Sequence, residues 1–124
     1  MPELHVDRVL LVEQADGRDM LKWALEEGGF EVDLVNDGES ALTIAAARTP
    51  AVVIADIILP GMDGWELASR LRRVYGAAMQ LVALTSLGDP EDRAHSVTAG
   101  FNVHLVKPVR PGAVHDTIRQ LLAA

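Results

Sequence analysis

Two kinds of segment alternate along the chain. Short apolar runs rich in β-branched residues occur at 8–12 (RVLLV), 31–35 (EVDLV), 51–55 (AVVIA), 80–84 (QLVAL) and 103–106 (VHLV). Their length and composition predict strands. The intervening segments have helical spacing. Met20, Leu21, Ala24 and Leu25 share one face of a first helix, closed by the glycines of EEGG. Ala41, Leu42, Ala45 and Ala46 form a second stripe, stopped by Thr49-Pro50. Leu67, Ala68, Leu71 and Val74 form a third. The stretch 90–99 predicts a fourth helix, with Asp89 as N-cap and Pro90 at the first helical position. Val114, Ile118, Leu121 and Leu122 mark a fifth, after Pro111.

Five strands alternating with five helices predict a parallel sheet covered on both faces. The strands are continuous apolar runs, as double coverage requires. The fold class is α/β: a flavodoxin-like (βα)5 doubly wound sandwich with strand order 2-1-3-4-5. There is no internal repeat, low-complexity segment or linker, so residues 1–124 read as one domain with its core in 8–122.

Composition removes several function classes. The 124 residues include no cysteine, which excludes disulfides, thiol nucleophiles and thiolate metal sites. A net charge of −7 and few aromatic residues argue against direct nucleic-acid binding. No apolar run approaches the roughly 20 residues that span a bilayer. The first residues, MPELHVDR, have acidic groups and no hydrophobic signal core. A cytoplasmic setting without direct membrane contact is the expectation.

In an open parallel sheet, ligands bind beyond the carboxyl ends of the strands, where strand order reverses. Strand 1 ends in Glu13-Gln14, strand 3 in Asp56, strand 4 in Thr85-Ser86 and strand 5 in Lys107-Pro108. Singly, each is ordinary: an Asp after a strand is usually a turn or cap residue, a Thr a cap, a Lys a solvated cation. Jointly they place carboxylates, a hydroxyl and an ammonium on one rim. That set suits Mg2+ and a phosphoryl group together, with Asp56 as nucleophile. The loop EQADGRD lacks the small hydroxyl residues that cradle a flavin phosphate, which argues against a nucleotide-type binder.

With these residues in view, the chain resembles the receiver domains of two-component response regulators. VVIADIILPGMDGWELASRLR is similar to that family's phosphoacceptor segment, and LVALTS and AGFNVHLVKPV fit beside it. The last of these is most similar to receivers carried by hybrid sensor histidine kinases. The resemblance implies that Asp56 is the phosphoacceptor, Thr85 the switch hydroxyl and Lys107 the phosphate-binding lysine, with a cis Lys107-Pro108 bond. It implies Mg2+ held by Glu13, Gln14, Asp56 and the backbone carbonyl of Ile58. His104 stands at the position of the family's aromatic switch and adds titration near neutral pH. The implied partners are a histidine kinase or phosphotransfer domain. An effector protein or a second copy would meet the face made by the fourth helix, fifth strand and fifth helix. Such a module turns over its own phosphoryl group slowly and is not expected to be an enzyme.

Strand 1 departs from the family pattern, which has two adjacent acids where this chain has Glu13-Gln14. Gln14 brings an amide oxygen but no charge, so weak Mg2+ binding is expected. A phosphorylation-independent receiver-like interaction module is the alternative. Asp16 reads as the first helix's N-cap, Trp65 as a partly exposed packing residue, and RLRR at 70–73 as a solvated helix face. Trp23 lies off its helix's apolar stripe, as a partner surface or a scattered exposed aromatic.

Overall fold

The computed structural model describes residues 7–123. Residues 1–6, which carry most of the MPELHVDR stretch, lie outside them. The elements follow in the order β1 (Arg8–Val12), α1 (Arg18–Glu27), β2 (Glu31–Val35), α2 (Gly38–Ala47), β3 (Val52–Ala55), α3 (Gly64–Tyr75), β4 (Gln80–Thr85), α4 (Pro90–Ala99), β5 (Val103–Val106) and α5 (Pro111–Ala123). A short 3-10 turn at Gly76–Ala78 joins α3 to β4. The strands form one sheet in the order β2-β1-β3-β4-β5, every neighbouring pair parallel. The predicted architecture and strand order are both found.

Side chains alternate across a strand, and the sheet has an apolar layer on each face. Leu10, Val12, Val53, Ala55, Leu81 and Ala83 pack with Ala41 and Ala45 of α2 and Leu67, Ala68 and Leu71 of α3. Val9, Leu11, Val52, Ile54, Val82 and Leu84 pack with Leu21 and Leu25 of α1 and Val114 and Ile118 of α5. Helices α1, α2 and α5 each bury one apolar i, i+4 pair, whereas α3 buries Leu67, Ala68 and Leu71 together. Met20 is 60% exposed, because the Leu21–Leu25 row faces the sheet and Met20 lies around the helix from it. Val74 is 68% exposed; Tyr75, four residues after Leu71, takes the packed position in that last turn. Ala46 is also exposed.

Caps set several helix starts. Asp37 accepts from the Ser40 amide at 2.8 Å and Asp63 from the Glu66 amide at 2.9 Å. At α4, the Asp92 carboxylate accepts from the Asp89 amide at 3.2 Å, with Pro90 at the first turn as expected. Helix α1 differs from expectation: its N-cap is Gly17 in the left-handed region, not Asp16, and no side chain caps it. The RLRR run is also less uniform than a solvated face. Arg72 turns back to donate to the carbonyls of Gly76, Met79 and Gly100 and to Asn102, bracing the amino-terminal edge of β4 and β5. Desolvation by burial lowers its guanidinium pKa.

One glycine ties the fold to the rim that carries the candidate chemistry. A Cβ on Gly64 would lie 2.3 Å from the Asp56 carbonyl oxygen and 2.7 Å from the Ile57 Cα, both backbone atoms. The Gly64 amide donates to the Ile57 carbonyl at 2.8 Å, so the start of α3 sits directly on the end of β3. Gly64→Ala must therefore displace the Asp56 segment. The expected loss is about 1–3 kcal/mol of stability, the usual range for overpacking, read as a lower urea midpoint at unchanged slope.

Candidate functional site

The rim at the carboxyl ends of the strands is built by register. Val12 of β1 lies opposite Ala55 of β3, so the next residues, Glu13 and Asp56, emerge side by side. The Asp56 amide donates to the Val12 carbonyl at 3.0 Å, continuing the ladder one step beyond β3. Thr85 pairs with Val106, and the Lys107 amide donates to the Thr85 carbonyl at 2.8 Å. Parity then sorts the side chains. Glu13, Asp56 and Lys107 continue the Leu11, Ile54 and Leu105 rows, which belong to the face covered by α1 and α5. Thr85 and His104 have the opposite parity, toward α3 and α4.

The charged group closes around Lys107. Its ammonium donates to Glu13 Oε1 at 2.6 Å and to Asp56 Oδ2 at 3.0 Å. Glu13 is 4% exposed and Asp56 7%, so both carboxylates are nearly removed from bulk water. Their remaining oxygens face backbone donors. Glu13 Oε2 accepts from the Gln14 and Ala15 amides, both at 3.1 Å, and Asp56 Oδ1 accepts from the Ile58 amide at 3.1 Å. Burial by itself would lower the Lys107 pKa; the hydrogen bonds and charges of Glu13 and Asp56 outweigh it, and the net shift is upward. The Lys107-Pro108 bond is cis, as the resemblance implied. An open cleft of about 450 Å3 borders the site, lined by Glu13, Ala15, Asp16, Arg18, Lys107 and Pro108 among others.

Gln14 does not join this arrangement as Glu13 does: it is exposed on the rim. Ile58 is exposed beside Asp56, its side chain 51% accessible. Among the described residues no cluster of three or more His, Cys, Asp or Glu residues is disposed to hold a metal. A hard cation does not need such a cluster, since Mg2+ is commonly held by one or two carboxylates with water and phosphate oxygens. Glu13, Asp56 and the Ile58 carbonyl supply that chemistry, so the donor set fits Mg2+ with fewer charges than a paired-acid strand end.

Thr85 is fully buried, and its Oγ1 accepts from the Leu87 amide at 3.3 Å; a hydroxyl that accepts in this way can still donate its own hydrogen. His104 is half-buried and held at both ring nitrogens: Nδ1 lies 2.7 Å from Ser96 Oγ and Nε2 2.7 Å from the Leu87 carbonyl oxygen. Trp65 donates its indole N–H to the same Ser96 hydroxyl at 2.9 Å and stacks on exposed His95 at 3.7 Å. Trp65 is thus partly exposed, as expected, but has a polar role beyond packing. Ser96 is fully buried in an otherwise exposed stretch of α4, and reasoning from sequence missed it. A lone serine within a polar helix carries no sequence signal that would have singled it out.

This fold, with carboxylates and an ammonium gathered at its carboxyl rim, defines an α/β module of the receiver type, and the chain belongs to the response regulator receiver domain family, whose model matches residues 9–119. It is 34% identical to an uncharacterized 14.6 kDa protein from Leptolyngbya boryana over 97% of this chain and 92% of that one. It is 36% identical to the transcriptional regulatory protein HprR of Escherichia coli over 82% of this chain but 45% of that protein. The chain thus spans about half the length of the transcriptional regulators it matches. Among solved structures it is similar to a CheY-like receiver domain protein from Methanospirillum hungatei, with TM-score 0.90, 26% identity and coverage of 96% and 95% of the two chains. It is also similar to the receiver domain of a sensor histidine kinase from Pseudomonas aeruginosa that has magnesium coordinated in its active-site cleft. The TM-score there is 0.86 and the identity 25%, over 97% of this chain and all of that one (100%). Among the described residues no helix is long and apolar enough to cross a membrane.

Removing the central cation leaves two buried carboxylates facing each other. Lys107→Met is expected to cost about 2 kcal/mol at pH 7, within the range for a lost charged hydrogen-bond partner. Urea unfolding at pH 7 reads the loss as a lower midpoint. In the unaltered protein the raised Lys107 pKa sets a window at high pH. Its stabilisation is complete below the ordinary value of 10.5 and is lost only as pH rises through the higher folded-state value.

Proposed function

We propose that the chain is a phosphorylatable receiver that accepts a phosphoryl group on Asp56 from the phosphohistidine of a histidine kinase or phosphotransfer domain. The observation that carries this reading is the Lys107 ammonium, which lines an open cleft, lying on Asp56 at 3.0 Å. An Asp56 carboxylate oxygen attacks phosphorus as the P–N bond to the donor histidine breaks, and the electron pair remains on the imidazole nitrogen, which is then protonated. Lys107 follows the negative charge onto the phosphoryl oxygens. The Ile58 amide holds the other carboxylate oxygen in place. Thr85 turns its hydroxyl hydrogen toward the new acyl phosphate, drawing on the β4–α4 loop and shifting the α4-β5-α5 face. Mg2+ held by Glu13, Asp56 and the Ile58 carbonyl would neutralise charge on the transferring group. An effector protein or a second copy of the chain is the reader of the shifted face.

The affinity for Mg2+ is proposed to be weak. Gln14 carries no charge, and both Glu13 oxygens are already engaged, one by Lys107 and one by the Gln14 and Ala15 amides. The same observation favours a second reading, an interaction module that works without phosphorylation. The chain's similarity to the receiver domain of a sensor histidine kinase supports an origin within a hybrid kinase.

Incubation with Mg2+ and acetyl phosphate is expected to add one phosphoryl group, detected by intact mass and absent in Asp56→Asn. No Asp56-dependent product from acetyl phosphate at tens of millimolar Mg2+, or from a phosphohistidine donor, would leave the second reading standing. Gln14→Asp is expected to tighten Mg2+ roughly tenfold, the equivalent of about 1.4 kcal/mol, and to speed phosphorylation. An unchanged Mg2+ titration in that variant would place position 14 outside the coordination sphere.

A further inference from the structure

The hydrogen bonds around His104 run in one direction. The Leu87 carbonyl can only accept, so His104 Nε2, 2.7 Å away, must carry the proton. In the neutral ring Nδ1 is then an acceptor, and the Ser96 hydroxyl at 2.7 Å must be its donor. The Ser96 oxygen in turn accepts from the Trp65 indole at 2.9 Å. Trp65 of α3, Ser96 of α4, His104 of β5 and Leu87 of the β4–α4 loop therefore form a chain in which each donor and acceptor is assigned by its neighbour. Leu87 also gives its amide to Thr85 Oγ1, so one residue joins this chain to the hydroxyl at the site.

We propose that His104 is a positioning residue: its neutral Nε2–H tautomer ties Leu87, and with it the Thr85 turn, to Ser96 and Trp65, and protonation of the ring reverses the bond to Ser96. A purely steric aromatic side chain has no pair of nitrogens with which to hold both ends, so position 104 acts here through hydrogen bonds and not through bulk. The proposal rests on the reading of Thr85 as the hydroxyl that serves the phosphoryl group. Protonation converts Nδ1 from acceptor to donor. Fully buried Ser96 would then face two donors, His104 and Trp65, and would have to turn its own hydrogen elsewhere. The charged groups nearest the ring are engaged with other atoms. On the α4 side, Arg93 Nη1 lies 3.4 Å from the His104 carbonyl, and Asp92, one turn before Ser96, is engaged with the Asp89 amide. On β4, Ala83 is the register partner of His104 and Thr85 the nearest polar side chain in the strand. On α3, Trp65 carries the exposed ring of His95 stacked against it. Lys107 follows on the same strand, committed to Glu13 and Asp56. Among the described residues no carboxylate is hydrogen-bonded to the His104 ring.

The test is a pH titration of the uniformly 15N-labelled chain by NMR, following the imidazole nitrogens, the Trp65 indole N–H and the Leu87 amide. At pH 8 His104 is expected as the Nε2–H tautomer. Between about pH 5 and 8, the range in which histidine changes charge, the Trp65 and Leu87 signals should move in step with the His104 ring. Ser96→Ala should uncouple Trp65 from that titration and Ser96→Thr should restore it, while His95→Gln should leave it in place. An Nδ1–H tautomer, or a Trp65 signal indifferent to His104 protonation, would overturn the proposal. As a functional readout, the rate of Asp56 phosphorylation by acetyl phosphate is expected to change about threefold or more across the same range, a step missing from His104→Phe. Matching profiles in the two proteins would sink the positioning role. The NMR measurements need no phosphodonor, so a chain that takes up no phosphoryl group refutes the receiver reading while the latch is still decided by the tautomer and the coupled shifts.

Discussion

The site depends on the period of two along five parallel strands. The central strands β1, β3 and β4 bury both faces, and alternation assigns every residue just past a strand end to one side of the sheet or the other. Leu11, Ile54 and Leu105 all belong to the layer under α1 and α5. Two residues later the same parity delivers Glu13, Asp56 and Lys107, and these three meet. Thr85 follows the Leu81 and Ala83 row on the opposite face, where His104 also lies. A register slip of one residue in β5 would exchange Lys107 with a neighbour and leave both carboxylates without a cation. The apolar core therefore sets the site's chemistry, although no core side chain takes part in it.

Within that frame the ammonium of Lys107 takes the place of other positive charge. It satisfies one oxygen of each buried acid, and backbone amides satisfy the others. A phosphoryl group or a divalent cation arriving at Asp56 exchanges partners with Lys107 instead of entering an unpaired acidic pocket. Glu13, one methylene longer than aspartate, reaches both Lys107 and the amides of its own loop. The side chain that most distinguishes this strand end is thus better integrated than its exposed neighbour Gln14. The other side of the rim carries a chain of hydrogen bonds from Trp65 to Leu87, and Leu87 joins it to Thr85 and its turn.

Much of this was legible before the coordinates. Apolar runs locate all five strands to within a residue, and position at the strand ends singles out Asp56, Thr85 and Lys107 as candidates. Helix faces were less well read. Spacing admits Met20 and Val74 to buried stripes, whereas α1 seats its Leu21–Leu25 row and the last turn of α3 packs Tyr75 instead of Val74. Asp16 looked like a cap because its chemistry suits one, yet Gly17 occupies the position with a backbone conformation that disfavours other residues. Arg72 looked like part of a solvated run, but the carbonyls that gather it come from three separate places in the chain.

The sequence by itself determined the alternation of strands and helices, the two-sided burial of the sheet and the identity of the groups at its carboxyl edge, because these follow from local periodicity and from the rule that places ligands beyond parallel strand ends. Only the tertiary structure decided which of those groups touch. Lys107 bridging Glu13 and Asp56, Gln14 standing outside, and Ser96 joining Trp65 to His104 all bring together residues distant in the chain. Such distances are set by how helices seat on a twisted sheet, and no local pattern encodes them.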